Sequence, residues 1–152
     1  MTLAGKTILM SGGSRGIGLA IALRAAADGA NIAMLAKTDT PHPKREGTIH
    51  TAAEQVRAAG GHALPIVGDV RVDDDITEAV MKTQGEFGGI DIVINNASVI
   101  DLSRSLDLSA KKYDLMQDVN VRGTFMLSRA AVPVLRDSAN PHILSLSPPL
   151  NL

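Results

Sequence analysis

Residues 7–18 read TILMSGGSRGIG, and this stretch decides the fold. Residues 7–10 form a short apolar run typical of a buried parallel strand. A loop with glycines at positions 12, 16 and 18 follows, and an alanine-rich helical stretch begins at Gly16. A strand, a glycine loop and a helix in this order present backbone N–H groups to an anion at a helix N-terminus, where the helix dipole also favours negative charge. The stretch therefore predicts a binding site for a diphosphate.

The spacing of the glycines is not decisive by itself. Gly12, Gly16 and Gly18 form the pattern Gly-x-x-x-Gly-x-Gly, which differs from the Gly-x-Gly-x-x-Gly of the most common dinucleotide fingerprint. An ordinary glycine-rich turn is an equally good interpretation of the loop alone, and the flanking strand and helix favour the phosphate site. The loop does not end in Gly-Lys-Ser/Thr, which disfavours a P-loop NTPase.

Apolar and helical segments alternate along the whole chain. The predicted strands are residues 7–10, 31–35, 63–67, 90–95 and 142–146, and the predicted helices are residues 16–28, 49–59, 75–86 and 110–136. This alternation predicts an α/β fold in which helices cover a parallel sheet through right-handed crossovers. Asp75 and Glu78 have the spacing of a capping box at the start of the third helix. Pro133 should kink the last helix or mark its final turns.

Composition narrows the class of protein. A length of 152 residues with 45% hydrophobic residues suits one globular domain. The net charge of −1 and the three aromatic residues disfavour a nucleic-acid partner. There is no cysteine, the four histidines lack metal-ligand spacing, and neither a signal peptide nor a membrane span is visible. We therefore expect a cytoplasmic protein with no metal site and no membrane partner.

The end of the second predicted strand indicates which dinucleotide binds. An NAD site usually has an acidic residue about twenty residues after the glycine loop. Ala36 stands there and Lys37 follows, so a 2′-phosphate would be attracted rather than repelled. Arg15 in the glycine loop could supply a second positive charge. The alternative is that Lys37 is a solvated lysine at a strand end.

Polar residues also follow the third and fourth predicted strands. Asp69-Val70 places a carboxylate where it can accept a hydrogen bond from an exocyclic amine such as that of adenine. Asn95-Asn96-Ala97 places two amides at a strand's carboxyl end, where open α/β sheets bind ligands. Ordinary turn chemistry explains either group equally well.

Three residues of the long predicted helix are candidates for a functional role. Asn120 and Gly123 both lower helix propensity, and such local inconsistencies are often functional, although a tolerated bend is the alternative. Tyr113 is the only tyrosine, and its neighbours favour a role as an apolar helix anchor over that of a general acid.

Taken together, these motifs resemble the short-chain dehydrogenase/reductase family. The matching segments are residues 11–18, 69–70, 95–97 and 120–123, in the family's order and across nearly the whole chain. The resemblance implies a single NADP-binding domain over residues 1–152, with a Rossmann-type doubly wound parallel sheet, helices on both faces, and truncation after the fifth strand. It also implies hydride transfer between NADP(H) and an alcohol or carbonyl substrate, and a homo-oligomer. Residues 36–54 and 147–152 resemble the hydroxysteroid-dehydrogenase-like branch, which suggests a lipid-like or steroid-like substrate.

The resemblance also implies roles for individual residues. Lys37 would contact the 2′-phosphate, Asp69 the adenine, and Asn120 would hold the backbone and the water of a proton relay. The complete set of implied cofactor-binding residues is Gly12, Ser14, Arg15, Gly16, Ile17, Gly18, Lys37, Asp69, Val70, Asn96 and Ala97.

Several positions depart from the family pattern. Ser98 replaces the usual glycine, and Pro148 falls at the usual catalytic serine. Ser147 is one residue earlier and points to the opposite side of a strand, so it cannot be assumed to substitute. The family's Tyr-x-x-x-Lys pair is missing, since Tyr113 is followed at the fourth position by Gln117. We therefore expect the cofactor-binding portion of an oxidoreductase, and the alternative is a non-catalytic nucleotide-binding or interaction module.

Overall fold

The computed structural model describes residues 2–41 and 47–147. Five strands alternate with helices along the chain, as the sequence pattern predicts. The strands are β1 (Thr7–Ser11), β2 (Asn31–Ala36), β3 (His62–Val67), β4 (Ile92–Asn95) and β5 (His142–Ser145). The helices are α1 (Gly16–Ala27), α2 (Ile49–Ala58), α3 (Asp73–Phe87), α4 (Ala110–Met116) and α5 (Thr124–Leu135), and a π-helical segment (Gln117–Gly123) joins the last two.

The five strands form one parallel sheet in the order β3-β2-β1-β4-β5. The chain first winds outward from β1 through β2 to β3, and then returns to the other side of β1 to form β4 and β5. In register, Ser11 at the end of β1 pairs with both Leu35 of β2 and Asn95 of β4. The order reverses at β1, and in such sheets ligands bind outside the carboxyl ends of the strands at the reversal. The predicted doubly wound parallel fold is thereby confirmed.

Alternate residues of the central strands enter two separate cores. Ile8 and Met10 of β1 pack into the core beneath α1 and α2, whereas Leu9 packs into the core beneath α3 and α5. All three side chains are at most 1% exposed. This division follows from the two-residue period of a strand, and it explains why β1 is an uninterrupted apolar run.

The start of α3 differs from the sequence prediction. The helix begins at Asp73 after Val72, and no side chain caps it, so the predicted capping box of Asp75 and Glu78 is wrong. The helix begins before Asp75, so Asp75 lies inside the first turn, where its carboxylate accepts a hydrogen bond from the Asp69 backbone N–H at 2.7 Å. The three aspartates still place negative charge in the first turn, where the helix dipole favours it.

The long helical stretch predicted over residues 110–136 is present but not uniform. It widens into the π-helical segment around Asn120 and Gly123, the residues whose low helix propensity the sequence singled out. Pro133 lies two residues before the end of α5 and marks its final turn, as predicted. Tyr113 is 51% exposed and α4 has no buried residue, so the prediction that Tyr113 anchors the helix is wrong for the part of the chain described.

The β5 side of the sheet is open within the described residues. All four residues of β5 are exposed, and Ile143 and Leu144 remain 45% and 50% accessible. None of the described helices combines the length and apolar character needed to cross a membrane.

Candidate functional site

A cleft of about 530 Å³ opens at the carboxyl ends of the central strands. The glycine loop, the end of β2 and the turns after β3 and β4 contribute its walls. Ten of the eleven residues that the sequence associates with a cofactor line it: Gly12, Ser14, Arg15, Ile17, Gly18, Lys37, Asp69, Val70, Asn96 and Ala97. Gly16, Asn120 and Ser147 do not line it. The topology thus brings residues from four separate segments of the chain to one place.

The glycine loop passes too close to its neighbours to accommodate side chains. Gly12 has a φ of +76°, and a methyl group there would lie 2.8 Å from Asn96 Nδ2 and 2.9 Å from Ala97 Cα. A methyl group at Gly18 would overlap the carbonyl oxygen of Gly12. The N-terminus of α1, which follows the loop, has no side-chain cap. Its first backbone N–H groups therefore remain available to an anion, and this cradle fits a dinucleotide diphosphate.

Asn96 and Ser11 hold the two sides of the cleft together. The Asn96 side chain donates to the carbonyl oxygens of Ser11 at 3.1 Å and Gly12 at 2.8 Å. The Ser11 hydroxyl accepts hydrogen bonds from the backbone N–H groups of Asn96 at 3.2 Å and Ala97 at 3.1 Å. Asn96, the second residue of the paired-asparagine motif, thus bonds neighbouring backbone, whereas the Asn95 side chain donates to the hydroxyls of Ser128 and Ser145. Ser11 was missed as a site residue, although it directly precedes the glycine loop.

Positive groups from two elements meet at the β2 end of the cleft. Arg15 donates from Nη2 to the Thr38 hydroxyl at 2.8 Å, which brings the glycine loop to the residue after Lys37. Ala36, at the position of the acid in NAD sites, is 9% exposed. Thr38 was missed as a site residue, and its position directly after Lys37 was the available signal.

Asp69 is bound by two cations. Lys37 Nζ lies 3.0 Å from Asp69 Oδ2, and Arg71 donates to the same oxygen from Nη2 at 2.6 Å and from Nε at 2.9 Å. Burial raises the pKa of the Asp69 carboxyl, but the hydrogen bonds from Arg71 and Lys37 outweigh burial and hold its pKa well below its usual range. Asp69 is therefore ionised at neutral pH and can only accept hydrogen bonds. Arg71 was also missed, although it follows the Asp69-Val70 motif directly.

Asn120 binds backbone rather than the cleft. Its Oδ1 accepts the Val99 N–H at 2.9 Å, and its Nδ2 donates to the Val99 carbonyl at 2.8 Å. Asn120 thereby fixes the segment after β4 to the π-helical segment, whose Val119 lines the cleft. Ser147 lies two residues past the end of β5. Pro148, at the expected position of the catalytic serine, lies outside the described residues.

Within residues 2–41 and 47–147, no group of three histidine or acidic side chains is placed to hold a metal ion. His50 instead contacts Asp39, with 2.7 Å between Nε2 and Oδ1.

Comparison with known proteins agrees with this geometry. The sequence profile of the short chain dehydrogenase family matches residues 6–148. The chain is 57% identical to Hydroxysteroid dehydrogenase-like protein 2 from Bos taurus and from Homo sapiens, over 99% of this chain and 36% of each relative.

Solved structures give the same result. A short chain dehydrogenase from Mycobacterium thermoresistibile superposes with a TM-score of 0.95 at 56% identity, covering 99% of this chain and 54% of that one. The NADH-dependent reductase A1-R′ complexed with NAD superposes with a TM-score of 0.82 at 30% identity, covering 94% of this chain and 59% of that one. The chain spans about a third of the length of the curated relatives named above. It belongs to the short-chain dehydrogenase family, whose members bind nicotinamide cofactors.

Proposed function

We propose that the chain is the cofactor-binding domain of an NADP(H)-dependent oxidoreductase that acts on an alcohol or carbonyl substrate. The observation that carries this proposal is the convergence of Arg15 and Lys37 on the end of β2, where Ala36 replaces an acid. Within the described residues Arg15 forms no ion pair with a carboxylate, so its charge is available to an anion. A 2′-phosphate is the part of NADP(H) that such a pair of cations would distinguish from NAD(H).

The remaining site residues fit the rest of the cofactor. The glycine loop and the uncapped start of α1 would receive the diphosphate. Asp69, ionised and lining the cleft, would accept a hydrogen bond from the adenine amine. Asn96 and Asn120 would act indirectly, because both side chains hold backbone segments that shape the cleft. When bound, the nicotinamide would supply or accept the hydride, and these residues would bind and orient it.

Titration with reduced cofactors tests the proposal. We expect NADPH to bind at least about tenfold more tightly than NADH, because hydrogen bonds to a charged group contribute about 1.5–3 kcal/mol. The chain has no tryptophan, so nicotinamide fluorescence can be followed without transfer from that residue. Equal affinities, or tighter binding of NADH, would contradict the proposed cofactor.

A non-catalytic nucleotide-binding module is the second candidate. It is favoured by one observation, that the only tyrosine is half exposed on α4 and is followed at the fourth position by Gln117 rather than lysine. This candidate predicts NADPH binding without oxidation of NADPH in the presence of any carbonyl compound. Steady turnover by the chain with a carbonyl panel would exclude it.

The proposal extends to substrate, assembly and location. The names of the curated relatives support a steroid-like or lipid-like substrate. Exposed apolar side chains on the outer face of the last helical stretch, Val121 at 59% and Phe125 at 62%, support a homo-oligomer. We propose a cytoplasmic location, consistent with the composition.

A further inference from the structure

The cation proposed to meet the 2′-phosphate is already engaged. Lys37 extends from the end of β2 to Asp69 after β3, and Asp69 is the only carboxylate that it contacts among residues 2–41 and 47–147. The lysine side chain is 62% exposed, whereas that of Asp69 is 14% exposed. A phosphate that recruits Lys37 must therefore compete with a largely buried carboxylate.

Asp69 does not depend on Lys37 alone. Arg71 contacts both carboxylate oxygens through Nε, at 3.1 Å and 2.9 Å, and its backbone N–H donates to Oδ1 at 3.1 Å. If Lys37 moves away, the Arg71 guanidinium still neutralises the carboxylate, so no buried charge is left unpaired. Leaving a buried carboxylate without a cation would be strongly unfavourable.

Resting on the proposed function, we propose that Asp69 and Arg71 together set the preference for a 2′-phosphate by controlling Lys37. Without a phosphate, Asp69 holds Lys37. With one, Lys37 turns to the phosphate, which carries about −1.5 to −2 charge at neutral pH and three acceptor oxygens. The flexible four-carbon stem of lysine permits this movement, and Arg71 keeps Asp69 in place. Asp69 thus weakens the preference for a nucleotide with a 2′-phosphate over one without it, and Arg71 strengthens that preference.

Two nucleotides without the nicotinamide half measure this discrimination directly. Adenosine 2′,5′-bisphosphate and adenosine 5′-monophosphate share the adenine contacts, so the ratio of their Kd values isolates the 2′-phosphate. We expect Asp69→Asn to increase the ratio in favour of the bisphosphate about two- to fivefold, because it removes the competing charge of a partly exposed ion pair. We expect Arg71→Gln to decrease it, because Asp69 then depends on Lys37. Calorimetric titration of the full chain gives both constants.

The opposite signs separate this mechanism from loss of folding, which would lower both affinities together. In a Lys37→Ala background, Asp69→Asn should leave the ratio unchanged, because the ammonium for which Asp69 and the phosphate compete is then missing. A ratio that is unchanged or lower in the single variant Asp69→Asn would overturn the inference. Equal binding of the two nucleotides by the unmodified protein would contradict the proposed NADP(H) preference instead. In that case a preference that emerges only in Asp69→Asn would support the inference, and no preference in either would overturn it.

Discussion

At the scale of single residues, the cleft is governed by charge placement. Lys37 and Arg71 contact one carboxylate, Asp69, and Arg15 lines the same cleft. The three cations outnumber the one carboxylate, so the cleft carries an excess of positive charge, although the chain as a whole has a net charge of −1. A local field of this kind attracts an anion without making the protein basic.

Substitution of Lys37 tests this placement. Lys37→Ala should weaken NADPH binding by about 1–3 kcal/mol, because it removes a charged hydrogen-bond donor from the 2′-phosphate. NADH, which lacks that phosphate, should bind nearly as before. Fluorescence titration with each cofactor measures both effects.

Lys82 provides the matched control for that substitution. It is 53% exposed and forms an ion pair with Glu78 on the surface of α3, outside the cleft. Lys82→Ala should leave both affinities unchanged. Equal losses of NADPH and NADH affinity in Lys37→Ala would refute a role at the 2′-phosphate.

At the scale of elements, the π-helical segment joins two parts of the site. Gly123 lies against Val70 of the turn after β3, and Arg122 of the same segment donates to the Arg71 carbonyl at 2.9 Å. Asn120 binds Val99 after β4. The π-helical segment therefore holds the turns that follow two different strands. In an uninterrupted α-helix, its side chains would point in different directions.

Two glycine substitutions test the importance of this packing. Gly123→Ala should lower the free energy of unfolding by about 1–3 kcal/mol, because the new methyl group would lie 2.9 Å from Val70 Cγ2. Gly85→Ala should instead raise it by about 0.5–1 kcal/mol, because Gly85 lies within α3 with open space at that position and alanine is a better helix former. Urea denaturation compares the two variants. If Gly123→Ala is as stable as Gly85→Ala, the close packing of the segment has no energetic importance.

At the scale of the whole molecule, Asp91 fastens the end of the sheet opposite the cleft. It precedes β4 and accepts hydrogen bonds from the Thr7 N–H at 2.9 Å, the Lys6 ammonium at 3.2 Å and the Ser138 hydroxyl at 2.6 Å. Burial raises the pKa of the Asp91 carboxyl, but these hydrogen bonds outweigh burial and lower it below its usual range. One carboxylate thus connects β1, β4 and the segment after α5.

Acid should weaken this connection. Because the pKa of Asp91 is lower in the folded state than the unfolded value of about 4, its contribution to stability is present above pH 4 and is lost as the pH falls below that value. Asp91→Asn should therefore lower the free energy of unfolding by about 1–3 kcal/mol at pH 7, and the difference from the unmodified protein should shrink in acid. Urea denaturation at several pH values measures this. Asp114→Asn, at an exposed position on α4, is the control, and a difference that stays constant with pH would contradict the assignment.

The sequence by itself determined the elements and the edge of the sheet at which the site lies. The two-residue period of the strands, the glycine loop and the polar residues after each strand are local patterns, so they identify each element and place its last residues at one edge. Ten of the eleven cofactor residues that the family resemblance implies line a single cleft at that edge.

Only the tertiary structure decided how those residues interact. The ion pair of Lys37 with Asp69 and the hydrogen bonds of Asn120 to the Val99 backbone join segments that meet only after the sheet and helices pack. Such contacts depend on distances and angles between elements, which local propensity does not encode.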